Sequence, residues 1–463
     1  MKRKLLVFTT LFYMLTAVGQ TNLSGFFPSN NNSGANFGTK TALHDNTYVV
    51  SSGFFFTNPG KVFVFSKVNQ VITQEAVLYP SDAVISDQFG QSIAVFGDYI
   101  AVGSAFHDEG FTDAGAVYIY KKVDNVWTFT QKITAFDAAE GDNFGSHVKI
   151  QGTSLFISAP NNQNSNSSGS VYVYSFNGTS WTYQQKLNVG LTSEFGRKFE
   201  IQGNLLVAID SSDNLHTFTF NTTWTYIDSN YNIGNLQTLT KDFILDNERI
   251  YVTSVNGFNQ SESSVLIYNR VNNNWVNESV LDVSFNDFVL GKIAVSGSNM
   301  IVGYEQYLLQ TERKFPVKYY KKVSNNWILQ TTLYGEGAFA NDDEFGKSLS
   351  IQDAEILIGA PDEGIAISTG KAYAYNLNLL NVSAFEKNSI RVYPNPTVDK
   401  ILFDNQSLNQ VILCELYSSS GKVITVSSDN SSFISLENVY SGVYFLKITL
   451  DNGTFEIHKI IKN

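Results

Sequence analysis

The chain has almost no cysteine, little proline and no long apolar segment beyond its first residues. Of its 463 residues, one is cysteine and eight are proline. The single Cys414 excludes an internal disulfide, and a lipid-anchored precursor would need a cysteine at its cleavage point. The stability of the fold is therefore expected to come from packing.

Long hydrophobic runs are confined to the amino terminus. Basic residues at positions 2–4 precede the apolar stretch Leu5–Val18, which ends in small residues before Gln20. This arrangement is typical of a secretory signal peptide, here residues 1–19. The stretch is too short to persist as a membrane-spanning helix. The sequence predicts an exported mature chain with no transmembrane segment.

Positive charge is also scarce. The chain has 31 Lys and Arg against 42 Asp and Glu, for a net charge of −11. Nucleic acids and anionic membranes are bound through basic patches. We therefore expect neither as a partner, whereas a cation or a basic or neutral ligand is compatible with this balance.

Catalytic motifs are missing as well. The sequence has no HExxH, no GxSxG and no glycine-rich phosphate loop, and its five histidines lack the paired spacing of metal ligands. We predict a protein that is not an enzyme, with no cofactor and no bound metal. A carboxylate pair formed across loops, as in glycosidases, stays open as an alternative.

A repeat dominates the rest of the chain. An aromatic step, Phe-Gly or Asp-Phe, opens an alternating segment seven times, roughly every fifty residues, and all five tryptophans follow in phase. The period predicts an all-β protein, a seven-bladed β-propeller of four-stranded blades over residues 20–379. The steps are Phe37-Gly38, Phe89-Gly90, Phe144-Gly145, Phe195-Gly196, Asp242-Phe243, Asp287-Phe288 and Phe345-Gly346.

Each unit has a short first link between strands and a long second one. The short links contain Gly, Asn or Asp, which tolerate the positive φ of tight hairpins. The long links, such as Ser104–Gly115 and Tyr304–Pro316, make one edge loop-rich and acidic, and binding residues concentrate in such loops. The short links are Gly97-Asp98, Gly152-Thr153, Gly203-Asn204, Asp246-Asn247, Gly297-Ser298 and Asp353-Ala354.

The seventh unit has only three strands, the last at Lys371–Asn376. Thr21–Phe27, before the first Phe-Gly step, occupies the place of an outer strand and has no partner of its own. Pairing it into the last unit would cover both exposed edges. The sequence predicts that this strand closes the propeller.

The repeats resemble the FG-GAP family, known from integrin alpha chains and from secreted bacterial proteins. The resemblance is carried by the Phe-Gly steps, the short turns, the tryptophans and segments such as Gly359-Ala360-Pro361. Integrin-type repeats hold calcium in an aspartate-rich loop between the first two strands. A hairpin of about two residues stands there in this chain and cannot supply six oxygen ligands, so the calcium sites are not carried over.

Residues 389–463, after a linker at 380–388, resemble the C-terminal sorting domain of the type IX secretion system of Bacteroidetes. Their alternation predicts a small Ig-like β-sandwich. The resemblance implies handling by the type IX machinery of a Gram-negative, Bacteroidetes-like bacterium, removal of the tail, and secretion or attachment to the cell surface. The residues that carry it are Tyr393, Pro394, Asn395, Pro396, Gly421, Gly442, Tyr444, Lys459 and Lys462.

Candidate ligand-binding residues lie in two long loops. His107, Asp108, Glu109 and Asp113 could chelate a divalent cation, but we favour a solvated acidic loop because no other repeat preserves the set. Strand aromatics are expected to pack between blades, so loop aromatics are the better candidates for ligand contact. These are Phe106, Phe111, Tyr304 and Tyr307.

Carboxylates recur just before the phased phenylalanines. A ring of six around a central channel could bind a cation or a basic group. The interpretation we favour is that these side chains accept backbone N–H bonds in the turn before the first strand. The six are Asp87, Asp142, Glu194, Asp242, Asp287 and Asp343.

The sequence thus predicts an exported propeller, secreted or at the cell surface, acting as a binding or adhesion scaffold for a macromolecule or glycan. An extracellular protein or a glycan would be its ligand, bound at the loop-rich edge. One alternative is a polysaccharide-active hydrolase or lyase that uses carboxylates at that edge. A structural surface-layer component is the other, and fold alone does not decide among them.

Overall fold

In the computed structural model the described residues form an all-β chain, as the sequence predicts, with a short 3₁₀ turn at Ile85–Asp87. Contacts divide the chain into two units, Met1–Leu379 and Leu380–Asn463. Among the described residues, no helix has the length and apolar character needed to cross a bilayer. The structure describes residues 24–28, 36–53, 59–69, 71–164, 167–190, 194–230, 238–256, 262–284, 288–306, 315–335, 344–361, 370–377, 390–405, 411–418, 422–427, 433–450 and 455–463.

The described residues of the first unit form seven four-stranded antiparallel sheets, here numbered 1 to 7 along the chain. The unit begins with β1 (Ser24–Phe26), which belongs to sheet 7. Sheets 1 to 3 follow, four strands each: β2 (Thr41–His44), β3 (Thr47–Ser52), β4 (Lys61–Val68), β5 (Val71–Leu78), β6 (Ser92–Phe96), β7 (Tyr99–Ser104), β8 (Ala116–Val123), β9 (Val126–Ile133), β10 (Val148–Gln151), β11 (Ser154–Asn164), β12 (Ser167–Phe176) and β13 (Trp181–Leu187).

Sheets 4 to 6 have the same layout, and sheet 7 combines β1 with the last three strands of the unit. In chain order these strands are β14 (Lys198–Gln202), β15 (Leu205–Ile209), β16 (Leu215–Phe220), β17 (Trp224–Asn230), β18 (Thr238–Asp246), β19 (Arg249–Asn256), β20 (Ser263–Val271), β21 (Asn274–Asp282), β22 (Phe288–Ser296), β23 (Asn299–Gln306), β24 (Val317–Val323), β25 (Asn326–Leu333), β26 (Ser348–Gln352), β27 (Glu355–Ala360) and β28 (Lys371–Asn376).

The short links are tight hairpins because their residues accept positive φ. Gly97, between β6 and β7, has a φ of 55° with open space around it. Five of the six predicted links are confirmed at the predicted positions. In sheet 5 the turn is Asn247-Glu248, one residue later than predicted, because Asp246 still pairs with Arg249 at the end of the ladder.

Apolar clusters join consecutive sheets. One cluster contains Val64 of sheet 1 and Tyr118 and Trp127 of sheet 2, and similar clusters join sheets 2 and 3, 3 and 4, and 4 and 5. A further cluster joins Leu357 of sheet 7 to Tyr48 of sheet 1. Each fully buried large side chain contributes about 1.5–3 kcal/mol to folding, so these interfaces hold the sheets together without a disulfide.

The Phe-Gly step is where each sheet contacts the one before it. Phe89 is fully buried, and its backbone lies so close to Gly60 of sheet 1 that a Cβ on this glycine would overlap the carbonyl oxygen of Phe89. Gly115 has the same relation to Phe144 of the next sheet. The recurrence of the step along the chain therefore reflects a recurrent joint between sheets.

Sheet 7 contacts sheet 1 in the same way. A Cβ on Gly370 would overlap the backbone of Phe37, and Ser348 Oγ donates to the carbonyl of Gly38 at 2.7 Å. β1 pairs antiparallel with β28, with Ser24 opposite Ala374. The last sheet of the unit thus contains three strands from its end and one from its beginning.

The second unit consists of two antiparallel sheets that share one apolar core. Ile401 and Ile434 from the first sheet and Leu416 and Leu446 from the second are buried together. The sheets have the orders β29-β30-β33 and β32-β31-β34-β35. Their strands are β29 (Ile390–Tyr393), β30 (Lys400–Asn405), β31 (Val411–Ser418), β32 (Val423–Ser427), β33 (Phe433–Ser435), β34 (Gly442–Leu450) and β35 (Phe455–Lys462).

Candidate functional site

The loop between β7 and β8 brings His107 against a carboxylate from the connection between sheets 1 and 2. His107 is buried, and its Nδ1 lies 2.8 Å from Oδ2 of the fully buried Asp87. Its Nε2 lies 3.3 Å from Oε2 of Glu109 and 3.9 Å from Oδ2 of Asp82. Asp82, His107 and Glu109 therefore converge at one point of the loop-rich edge.

Lys132, from the outer strand β9, fills this point. Its Nζ lies 2.9 Å from Asp82 and 2.7 Å from Nε2 of His107, and it forms an ion pair with Glu109. The hydrogen bond from Lys132 lowers the pKa of Glu109. Burial acts to raise the pKa of Asp82, but the hydrogen bond and the charge of Lys132, together with a bond from Tyr118, lower that pKa. A cation of the chain itself thus neutralises the cluster.

Sheet 3 has a similar network, in which Asn162 replaces His107. Lys186 Nζ lies 2.6 Å from Asp137 Oδ2 and 2.7 Å from Asn162 Oδ1. The Asn162 amide donates to Asp142 Oδ2 at 2.7 Å. Tyr172 donates its hydroxyl proton to Asp137 at 2.7 Å. The outer strand, the long loop and the connection between sheets are again tied together by one lysine.

The two networks correspond at five positions, whereas Glu109 belongs to the first network and is not matched by a described contact in the second. An uncharged amide replaces the imidazole, while the central lysine, which occupies the place of a cation, is retained. We therefore interpret the cluster as a repeated set of hydrogen bonds and ion pairs that holds the loop in place, and not as a metal site. The pairs are Asp82 with Asp137, Asp87 with Asp142, His107 with Asn162, Tyr118 with Tyr172, and Lys132 with Lys186.

Two of the four residues that the sequence suggested as metal ligands, Asp108 and Asp113, are not part of this cluster. Asp108 is exposed and accepts the backbone N–H of Asp113 at 2.8 Å. Burial, together with repulsion from Asp108 and Glu140, raises the pKa of Asp113. The carboxylate that meets His107 and Glu109 is instead Asp82. The sequence did not single out Asp82 because it lies in a different segment of the chain.

The loop aromatics differ in their accessibility. Phe111 is 53 % exposed, and Phe106 is half-buried. Tyr304 is buried and donates its hydroxyl proton to the carbonyl of Val283 at 2.5 Å, so its prediction as a ligand contact is corrected. Tyr304 lies in β23, and its ring faces the core. Tyr307 lies outside the described residues.

Two exposed rings on the connections between sheets were missed. Phe136 is 66 % exposed and Tyr79 is 63 % exposed. The ring of Phe136 packs edge-on against Tyr183, with 4.8 Å between centroids. Because neighbouring strands run in opposite directions, these connections lie at the same edge as the long loops. Phe111, Phe136 and Tyr79 therefore belong to one loop-rich edge.

Among the described carboxylates before the phased phenylalanines, Asp87 and Asp142 do not line a channel. They are buried in the turns before the first strands, where they accept backbone N–H bonds from Val84 at 3.0 Å and Ala139 at 2.9 Å. For these two residues the favoured interpretation, acceptance of backbone N–H bonds, is confirmed, and their placement in a channel ring is corrected. A buried carboxylate needs such donors, and the turn supplies them.

The other four carboxylates of the predicted ring have different surroundings. Glu194 is exposed, with a φ of 56°. Asp242 lines the central cavity described below, where it forms an ion pair with Lys198. Asp287 and Asp343 lie outside the described residues.

A cavity of about 540 Å³ is lined by the first strands of all seven sheets. We call it the central cavity. These strands contact one another in sequence, β2 with β6 and onward to β26, and β26 contacts β2. Most charged side chains on the cavity wall are cationic, in contrast to the carboxylate ring considered as one interpretation of the sequence. They are Lys40, Lys149, Arg197, Lys198, Lys241, Lys292 and Lys347, with Glu200 and Asp242 as the acidic ones.

In the second unit, the first and last sorting motifs contact each other. The Asn395 side chain donates to the carbonyl of Lys459 at 2.6 Å and accepts the N–H of Ile461 at 2.9 Å. The Tyr444 hydroxyl donates to the carbonyl of Tyr440 at 2.8 Å. Gly421 lies outside the described residues. The remaining predicted positions are the exposed Tyr393, Pro394 and Pro396, Gly442 at the start of β34, and Lys462 at the end of β35.

Family models match both units. A model described as FG-GAP repeat matches residues 72–120 and 127–174, and one described as secretion system C-terminal sorting domain matches residues 391–463. The chain carries FG-GAP repeats and a sorting domain. The resemblance inferred from the residues is thus confirmed. The sorting domain implies export to the cell surface or secretion through the type IX system of Bacteroidetes.

Solved structures similar to this chain share little sequence with it. A putative 6-phosphogluconolactonase from Bacteroides fragilis is 10% identical, with a TM-score of 0.46, over 68% of this chain and 88% of that one. A second from Bacteroides uniformis is 9% identical, with a TM-score of 0.47, over 68% and 89%. Saccharomyces cerevisiae Sqt1 is 13% identical, with a TM-score of 0.42, over 95% and 98%. None of these values supports an inference about activity. No curated protein matches significantly.

Proposed function

We propose that this FG-GAP repeat protein is a secreted or surface-exposed scaffold that binds an extracellular protein or glycan at its loop-rich edge, without chemical turnover. The observation that carries the proposal is the exposure of Phe111, Phe136 and Tyr79 at that edge. Tyr118 and Tyr172, on the third strands of their sheets, are buried, whereas some rings of the outer strands, such as Phe129, are also exposed. Exposed aromatic rings anchor protein partners and stack on sugar faces.

The proposal includes a closed seven-bladed propeller. Its support is the pairing of β1 with β28, the hydrogen bond from Ser348 to Gly38, and the contact between β26 and β2. Closure covers the strand edges that would otherwise pair with other chains. A ring of this kind would present the seven sets of connecting loops on one face.

Export is the second part of the proposal. Residues 1–19 act as the signal peptide and 380–388 as the linker before the sorting domain; both lie outside the described residues. The sorting domain is supported by its family match over 391–463. The mature propeller would then begin near Gln20 and face the exterior of the cell.

The carboxylates that Lys132 contacts, Asp82 and Glu109, favour a binding function over hydrolysis. A glycosidase needs one carboxylic acid that stays protonated near neutral pH to protonate the leaving group. The bond from Lys132 lowers the pKa of Glu109 and, against burial, that of Asp82. Both groups are therefore ionised at neutral pH and unsuited to the role of general acid.

A glycan array and a pull-down from extracellular material, both with the full chain, test the binding. We expect the double variant Phe111→Ala/Phe136→Ala to bind at least about tenfold more weakly, since central aromatic anchors contribute more than about 1.4 kcal/mol. Phe220→Ala, at a hairpin on the opposite edge where the ring is partly exposed, should bind as the unmodified chain does.

Two further outcomes would replace the proposal. Release of sugars from polysaccharides by the chain, lost in Asp108→Asn/Glu109→Gln, would show a hydrolase or lyase at the loop-rich edge. Regular self-assembly with no ligand on broad panels would show a structural surface-layer component.

A further inference from the structure

The central cavity concentrates positive charge in a chain that is acidic overall. Seven lysine and arginine side chains line it against two carboxylates, although the net charge of the protein is −11. The cations come from the first-strand segments of six different sheets. Scattered surface charge would not produce such a concentration, because most charged side chains stay on the solvated exterior.

Both carboxylates that line the cavity already form ion pairs with lysines. Glu200 lies 2.8 Å from Lys149 and 3.7 Å from Lys198. Asp242 forms an ion pair with Lys198, and the backbone N–H of Ile293 donates to it at 3.3 Å. They therefore neutralise the part of the wall near β10, β14 and β18, Arg197 pairs with Asp213, and an excess of cations remains elsewhere on the wall.

Lys40 and Lys292 carry this excess. Both line the cavity, and within the described part of the chain neither has a carboxylate at ion-pair distance. Lys347, also on the wall, pairs with Glu344 at 2.8 Å. Enclosed like charges without counter-charges destabilise a fold. A site for an anion accounts for their presence.

We propose that the central cavity binds a small multivalent oxyanion, held by Lys40 and Lys292 together with the neighbouring cations of the wall. Ammonium groups donate strong charge-assisted hydrogen bonds to oxyanions. A concave wall of one charge also focuses the field on a ligand inside. The cavity volume of about 540 Å³ admits a small molecule and not a folded polyanion. The proposal is independent of binding at the loop-rich edge.

The pKa values of two groups that line the cavity, Lys40 and His147, agree with a positive electrostatic potential there. Burial and then the charge of Lys292 lower the pKa of Lys40 to about 8. Burial also lowers the pKa of His147 well below its usual value, with Lys149, Lys198 and Lys40 acting in the same direction. The charged groups that act on Lys40 are Lys198 of β14, Asp242 of β18, Lys292 of β22 and Lys347 beside β26.

Anion binding should therefore weaken as pH rises. The bound anion favours protonated Lys40, so affinity falls as pH rises through about 8. Sulfate is the suitable probe because its charge is constant over this range. Without an anion, the lowered pKa of Lys40 has the opposite effect: stability rises between pH 8 and the usual lysine pKa, because the unfolded chain then holds more protons.

Isothermal titration of the full chain with inorganic phosphate in one arm and citrate in another tests the site. Chloride at matched ionic strength is the reference. We expect saturable binding of one or both multivalent anions, and at least about tenfold weaker binding in Lys40→Gln/Lys292→Gln. Lys61→Gln, an exposed lysine at the start of β4, is the matched control and should bind as the unmodified chain does. Tighter binding of phosphate would indicate a phosphate ester as ligand, and of citrate a polycarboxylate.

Thermal unfolding and lysine acylation provide two further tests of the site. The double variant should unfold at the same or a higher temperature without anion, since the repulsion among the wall cations that it loses exceeds the attraction of Asp242. In the unmodified chain, phosphate or citrate should slow acylation of Lys40, read by peptide mass spectrometry. Absence of saturable binding in both arms, or equal binding by the double variant, would refute the site.

Discussion

Lys132 and Lys186 show how one side chain can decide the chemistry of a loop. Each lies on the outer strand of its sheet and reaches the carboxylates of the preceding connection, Asp82 and Asp137. The lysine supplies the positive charge that a metal would otherwise bring. His107 and Asn162 occupy the same place because either can bond to the buried carboxylate and to the lysine.

This equivalence gives a prediction for His107. His107→Asn should keep the free energy of unfolding within about 1 kcal/mol, because the amide can still donate to Asp87. His107→Leu should cost about 1–3 kcal/mol, because it removes the imidazole donor from the buried Asp87 carboxylate and leaves it the N–H of Val84. Denaturant unfolding of both variants measures the difference. A rise in melting temperature with added Zn²⁺ that His107→Asn abolishes would instead support a metal site.

At the scale of the element, the joint between sheets explains the Phe-Gly step. The phenylalanine is buried, and its backbone occupies the space that a side chain on the glycine of the preceding sheet would need. Gly60, Gly115 and Gly370 all have positive φ, which only glycine adopts without strain. The repeat thus conserves a close backbone approach as well as an aromatic ring.

Gly370→Ala tests the joint between sheets 7 and 1. We expect it to lower the free energy of unfolding by about 3 kcal/mol or more, since the methyl group would overlap the backbone of Phe37 in addition to straining φ. Gly152→Ala is the control: its φ is also positive, but nothing lies within 4 Å of the added Cβ. Its cost should be about 1 kcal/mol. Equal losses in the two variants would mean that sheets 7 and 1 are not tightly joined.

At the scale of the whole molecule, the two units have separate tasks. The first unit supplies the loop-rich edge and the central cavity, and the second carries the sorting domain. Their separation in the chain allows the tail to be removed without loss of a strand from sheets 1 to 7.

Processing of the exported chain follows from this division. The extracellular form should begin at Gln20 and lack the sorting domain, which intact-mass measurement and amino-terminal sequencing would show. A variant without residues 390–463 should stay inside the cell, because the export machinery then has no sorting domain to engage. Efficient release of that variant would contradict the role of the tail.

The sequence by itself determined the strands, the tight turns and the two kinds of unit. Alternation and turn chemistry act over a few neighbouring residues, so Gly97-Asp98 and its equivalents could be located directly. A single Phe-Gly step is weak evidence for a repeat unit, but its recurrence at a regular period is strong evidence. The same applies to the sorting motifs, whose order and spacing are readable without a fold.

Only the tertiary structure decided which charged groups meet. Asp82, His107 and Lys132 come from three segments, and nothing local shows that they share one point. Asp87 bonds to a turn and to His107, whereas Asp242 faces the cavity, although both precede a phased phenylalanine. The cations of the central cavity had a partial signal, since Lys40, Arg197 and Lys347 follow Phe-Gly within three residues. Their common field arises only when strands far apart in the chain are packed around the same space.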